Sequence, residues 1–191
     1  MLKHVLIVGL LDAMTETMCF RFHEQKYRVH LLALASPQEV DLWQRKMREC
    51  ECEIAVDALD AAISTYQMKT DHPSWQQAEL LLQLHDVSTP GSSVMERFAK
   101  LKHLIRVEQG GHGLPQLPPS SSMVRINTIR IVKPMPSHAE SARTASSSSE
   151  PLTSRRGTAY EAAMLALYLA SREGMDIVDA VIDIPVGRYL S

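Results

Sequence analysis

Apolar residues fall alternately into short continuous runs and into helical spacing along the first sixty positions. Residues 3–8 (KHVLIV) are almost continuously apolar, which fits a strand of a parallel sheet covered on both faces. Residues 13–25 then place Ala13, Met14, Thr17, Met18 and Phe22 near helical spacing, predicting a helix. Tyr27 to Ala35 (YRVHLLALA) predicts a second strand. Ser36 suits a helix N-cap, Pro37 the first turn, and Glu39 adds an acid there; residues 38–49 fill that helix. Glu53 to Val56 predicts a third strand ending at Asp57. Strands and helices alternating at this spacing indicate a parallel α/β sheet.

The middle is less regular. Asp71-His72-Pro73-Ser74-Trp75 reads as a turn and helix start, and residues 75–85, rich in Gln and Leu, as a helix. Val87 to Ser93 carries turn chemistry around Pro90-Gly91. A helix over 93–104 leads to a short strand Leu104–Val107. Gly110 to Pro115 and Pro118-Pro119-Ser120 read as loop, and Met123 to Val132 (MVRINTIRIV) as a clear strand. Residues 134–156 are poor in large apolar groups and rich in Ser, Pro, Ala and Arg; they predict a flexible loop or lid. A strong helix over 158–173 and a last strand over 180–184 follow. The expected architecture is one Rossmann-like domain over 1–191, a doubly wound parallel sheet shortened in the middle.

Composition narrows the function classes. The chain has 191 residues, 45% of them apolar, enough for one sizeable core. Its 20 basic and 22 acidic residues nearly balance, which argues against nucleic acid or an anionic membrane as partner. No apolar run approaches the ~20 residues that span a bilayer. Asp12 interrupts the apolar start and no small-residue cleavage site follows, so a buried strand is expected there and not a signal peptide. The cysteines, Cys19, Cys50 and Cys52, give no disulfide framework, and a cytoplasmic location is expected. Cys50-Glu51-Cys52 has no second cysteine pair and no nearby histidine, so no metal site is expected.

The candidate chemistry begins at Gly9. A strand running into glycine and then a helix is how a dinucleotide-binding βα unit starts. Such a unit needs several glycines, so that backbone can approach a pyrophosphate. Here the turn reads Gly9-Leu10-Leu11-Asp12-Ala13-Met14-Thr15, and Asp12 puts a carboxylate where the anion would sit.

Residues 154–187 resemble the closing helix and strand of short-chain dehydrogenase/reductases, which read R-G-T-x-E-E-x-A, then L-A-S, then V-I-x-V-D-G-G. The matching residues are Arg156, Gly157, Thr158, Glu161, Ala162, Leu169, Ala170, Ser171, Ala180, Val181, Ile182 and Gly187. Val124 to Ile129 resembles the family's R-V-N strand, and Asp57 falls where the family often has an acid after its third strand. The 3-oxoacyl and acetoacetyl-CoA reductase branch is the nearest in flavour. The resemblance covers roughly two thirds of the chain and implies fold more strongly than activity.

The chemistry that the resemblance implies is missing. In the T-G-x-x-x-G-x-G loop Gly9 matches, but Val8, Ala13 and Thr15 replace the Thr and the other glycines. Leu34-Ala35-Ser36 offers neither a ribose acid nor a phosphate-binding arginine. The N-N-A-G turn has only Asp86-Val87-Ser88-Thr89-Pro90-Gly91 near it, without asparagine, and Arg130 to Pro134 replaces a P-G pair. The catalytic Tyr-x-x-x-Lys has two imitations: Phe98 with Lys102, lacking a hydroxyl, and Tyr160 with Met164, lacking a cation. The catalytic helix belongs between about 87 and 123 and is not recognisable there.

The expectation is therefore a non-catalytic structural subunit of a heteromeric short-chain dehydrogenase. It has no catalytic residues and no cofactor of its own; Gly9, Asp12 and Asp57 are remnants of a cofactor site. The resemblance implies an active paralogue carrying NAD(P), in a heterotetramer acting on hydroxyacyl-CoA or oxoacyl-CoA. The hydroxyacyl-CoA dehydrogenase of the benzylsuccinate route is such a system. Ala162, Leu165, Leu169, Val181, Ile182 and Ile184 are the candidates for subunit interface, or for the chain's own core. The alternatives are a divergent NAD(P)-dependent oxidoreductase and a ligand-binding or regulatory module, with His103, Arg106 and His112 as candidate lining of the old cleft.

Overall fold

The structure is a computed structural model that describes residues 3–59, 77–84, 100–109, 124–132 and 156–185. Its strands are β1 (His4–Gly9), β2 (Arg28–Leu34), β3 (Ala55–Leu59), β4 (Leu80–Leu84), β5 (His103–Gln109), β6 (Arg125–Val132) and β7 (Val181–Pro185). Its described helices are α1 (Ala13–Glu24), α2 (Pro37–Glu49) and α3 (Arg156–Ala170). The strands form one seven-stranded sheet in the order β3-β2-β1-β4-β5-β6-β7, and every pairing is parallel.

The central strands carry apolar residues on both faces because both faces are covered. On the first face Val5, Ile7, Leu31, Leu82, Ile105 and Ile129 meet α1, α2 and α3. On the second face Leu6, Val8, Leu32, Leu81 and Leu104 form a separate cluster with Ala78 and Leu101. α3 lies along α1 and turns Ala159, Ala162, Ala163 and Ala166 into the core. α2 starts as its sequence implies: Ser36 Oγ accepts from the Glu39 amide, and Glu39 accepts from the Ser36 amide. This reciprocal cap satisfies two amides that a helix start leaves open.

Three expectations are corrected. Residues 80–84 are not helix but β4, fully buried between β1 and β5. A short apolar run gives no periodicity to separate the two states, and LLLQL matches the length of a buried strand. The helix expected over 93–104 does not reach its end, because His103 and Leu104 already pair with β4. β3 does not stop before Asp57: it continues to Leu59, and Asp57 sits inside it opposite Leu32. Ser88–Gly91, Phe98, Gly110–Ser120 with His112, the loop 134–156 up to residue 155, and Gly187 lie outside the described residues.

Candidate functional site

In a doubly wound sheet, ligands bind at the carboxyl ends of the strands, where the strand order reverses. Here the reversal falls between β1 and β4, so Gly9, the last residue of β1, stands at that point. Leu84 ends β4 beside it: a Cβ on Gly9 would come within 3.0 Å of both the Leu84 Cβ and the Thr15 Oγ1. The glycine is required by this close approach. Thr15 is wholly buried, and its hydroxyl has no hydrogen-bond partner among the described residues.

Asp12 is the N-cap of α1, and its Oδ1 accepts from the Thr15 amide at 2.9 Å. Helix N-terminal amides are the groups that hold a pyrophosphate in dinucleotide sites. The chain's own carboxylate engages one of them, and the Thr15 side chain fills the space beside Gly9. This arrangement does not fit a dinucleotide pyrophosphate. At the end of β2, Glu39 is the nearby acid, and its Oε2 is engaged by the Ser36 amide and hydroxyl at 2.8 and 2.7 Å. Asp57 faces His30, with Oδ2 2.7 Å from Nε2.

No family model matches the chain, and no curated protein sequence matches it. Solved structures do. The chain superposes on a short-chain dehydrogenase/reductase from Serratia marcescens with TM-score 0.59 and 12% identity, covering 97% of each chain. It matches acetoin dehydrogenase YohF from Salmonella typhimurium with TM-score 0.60 and 10% identity, over 98% of this chain and 97% of that one. It matches YwfH, an NADPH-dependent reductase of bacilysin biosynthesis, with TM-score 0.62 and 13% identity, over 98% and 100%. The fold is that of the short-chain dehydrogenase/reductases.

On this fold Lys102 and Tyr160, the described members of the two imitations that carry a cation and a hydroxyl, lie at different elements. Lys102 precedes β5, at the amino edge of the sheet, where its Nζ pairs with Glu79 at 3.0 Å. Tyr160 lies on the outer side of α3 under the Arg21 guanidinium, 4.7 Å from the ring centroid. The whole sequence from the end of β4 to the start of β6, residues 85–124, contains no tyrosine.

The other candidate residues disperse as well. His103 and Arg106 are three positions apart on one strand, so they point to opposite faces and do not line a common cleft. Of the interface candidates, Ala162, Leu169 and Ile184 are buried in the chain's own core, and Leu165 and Ile182 pack partly against it. Val181 is exposed. The outward row on α3 is instead Tyr160, Met164 and Tyr168, each 44–47% exposed.

Two polar groupings escaped the sequence reading. On the second face, Gln83 and Arg106 are register partners, as are Glu108 and Arg130, and Arg130 and Asp183. Gln83, Arg106 and Glu108 are buried. Burial lowers the Arg106 pKa, against the raising influence of Glu108. Arg130 grips Asp183 with two bonds of 2.7 and 2.9 Å. The alternation Ile105-Arg106-Val107-Glu108 was the signal that could have found this row.

The second grouping lies on the first face at the amino edge. Asn127 Nδ2 donates to the Ile177 carbonyl at 3.0 Å and contacts His103 Nε2 at 2.9 Å, and its Oδ1 accepts from the Ala180 amide at 3.0 Å. Arg125 Nη2 stands 3.3 Å from the other ring nitrogen. Burial first, and the Arg125 charge second, push the His103 pKa down to about 4. The asparagine of the R-V-N strand thus ties β6 to the segment that joins α3 to β7.

Proposed function

We propose that the chain is a non-catalytic subunit of a heteromeric short-chain dehydrogenase, supporting an active paralogue that interconverts hydroxyacyl-CoA and oxoacyl-CoA. The observation that carries this reading is Asp12. Its carboxylate caps the α1 amide at the position a cofactor pyrophosphate would take. A like charge there opposes an incoming anion. The absence of tyrosine from residues 85–124 supports the same reading, since hydride transfer in this family relies on a tyrosine to exchange the carbonyl proton. In the proposed cytoplasmic heterotetramer, the paralogue carries NAD(P), and this chain contributes the outward row Tyr160, Met164 and Tyr168 together with Val181 at the edge strand. Aromatic and methionine side chains of this kind are enriched at protein interfaces.

The test has two parts. Native mass determination after co-expression with a neighbouring intact dehydrogenase should give a mixed oligomer, and Tyr168→Asp should weaken it. Calorimetric titration of the isolated chain with NAD(H) and NADP(H) should show no saturable binding. Micromolar binding of either, or a lone monomer in the presence of the dehydrogenase, overturns the proposal.

A further inference from the structure

At the amino edge of the sheet, opposite the nucleotide end, the structure has a cavity of about 420 Å³. It lies within the range of small-molecule sites, roughly 300–1,000 Å³. The first residues of four strands reach it: His4 of β1, Leu80 of β4, His103 of β5 and Arg125 of β6. Tyr27 and the segment after α3, with Ser171, Arg172 and Met175, close the other sides.

The charge of this lining is one-sided. Lys3, Lys102, Arg125 and Arg172 face a single carboxylate, Glu79, although the whole chain carries a net charge of −2. Lys102 alone pairs with Glu79. Arg125 spends its Nη1 on the neutral carbonyls of Gly174 and Met175 at 3.0 and 2.8 Å, so its charge is not neutralised. Among the described residues neither Lys3 nor Arg172 is in an ion pair; Lys3 sits 5.7 Å from the Tyr27 ring centroid and has a weak attraction to the rim residue Glu173. His103 is held neutral by its burial first and by the Arg125 charge second, and adds no charge. Arg28 and Lys100 lie close enough to act electrostatically on His4, and so extend the positive field. Between the cations the walls are apolar, from Tyr27, Leu80, Ala170 and Met175.

We propose that this cavity binds a small organic anion, a carboxylate or phosphate carried on an apolar body such as a single aromatic ring. Lys3 and Arg172 take the anionic group, and Tyr27, Leu80 and Met175 take the body. A concave, largely apolar site with a few convergent charges is the arrangement such ligands need, and Lys3 and Arg172 stand exposed at its rim, where an incoming anion can reach both. The inference does not rest on the subunit reading, because the site lies at the other edge of the sheet.

Isothermal titration of the full chain separates the possibilities. Phenyl phosphate or benzoate should bind saturably and raise the unfolding midpoint. Benzamide, which has the ring without the charge, and inorganic phosphate, which has the charge without the ring, should each bind at least tenfold more weakly. The exposed double substitution Lys3→Glu with Arg172→Glu should lower the affinity for the aryl anion at least tenfold while the far-ultraviolet circular dichroism stays unchanged; should it alter the fold, Lys3→Gln with Arg172→Gln replaces it. Equal binding of benzamide, equal binding of inorganic phosphate, an affinity untouched by removing the charges, or no saturable binding of either aryl anion would each overturn the proposal.

Discussion

Replacing Asn127 tests how the last strand is held. Asn127 is 1% exposed and serves three partners: the Ile177 carbonyl, the Ala180 amide and His103 Nε2. Asn127→Ala removes all of these contacts and leaves their partners in the interior. Each lost bond costs roughly 1–1.5 kcal/mol, and more where a buried group is orphaned, so the variant should lose about 3–5 kcal/mol. That is a large part of the ~5–15 kcal/mol that holds a domain of this kind. Urea unfolding followed by circular dichroism at pH 7 measures it. The same residue controls a titration. Two donors, the Asn127 amide and the Arg125 guanidinium, face the two nitrogens of His103; a neutral ring accepts one bond and a protonated ring accepts none. The folded pKa of about 4 lies below the ordinary 6.5. His103 therefore contributes stability that is complete above pH 6.5 and is lost as pH falls toward 4, about 3 kcal/mol in all. Asn127→Asp places a carboxylate against Nε2, raises the His103 pKa, and should flatten or reverse that slope. A loss under about 1 kcal/mol in Asn127→Ala, or an unchanged slope between pH 4 and 6.5 in Asn127→Asp, refutes this account.

Two further substitutions probe the backbone. A Cβ at Gly174 would lie 2.8 Å from the Leu169 Cα and closer still to the Tyr168 carbonyl; Gly174→Ala should cost about 2–3 kcal/mol by forcing α3 and its exit apart, read by urea unfolding. Glu51 follows the end of α2 with φ 56°, and the Cys52 amide closes back onto the Met47 carbonyl at 3.0 Å. Glycine relieves that left-handed conformation, so Glu51→Gly should stabilise by about 0.5–1 kcal/mol and raise the thermal midpoint.

The sheet was legible where residues are buried on both faces or where a cap is explicit. The runs at Val5–Val8 and Val29–Ala33 need two covered faces, and Ser36 with Glu39 announces a helix start. Leu80–Leu84 was illegible for the same reason that made β1 easy. So short a leucine-rich run carries no period, and only its neighbours β1 and β5 decide its state. The polar residues of β5 show the converse failure. His103 and Arg106 are close in sequence, yet pleating sends them to opposite faces, and the partners of His103 come from β6, more than twenty residues later. Long-range pairing of this kind leaves no local trace.

Asp12 has a structural role that its place in the sequence does not announce. The sequence identified a carboxylate at the pyrophosphate position, which reads as repulsion. The structure adds that the carboxylate stabilises α1, as an N-cap worth about 1 kcal/mol. A helix start normally left for an anionic ligand is thus satisfied from within the chain. Thr15 acts in the same direction, filling the space beside Gly9 that a bound cofactor would need. On the proposed reading, both changes favour the chain without a nucleotide over the chain with one. Lys3, Lys102, Arg125 and Arg172, meanwhile, line the cavity at the other edge. The fold keeps its sheet and its α1–α3 packing, and the two proposals together place anion binding at the amino ends of the strands instead of the carboxyl ends.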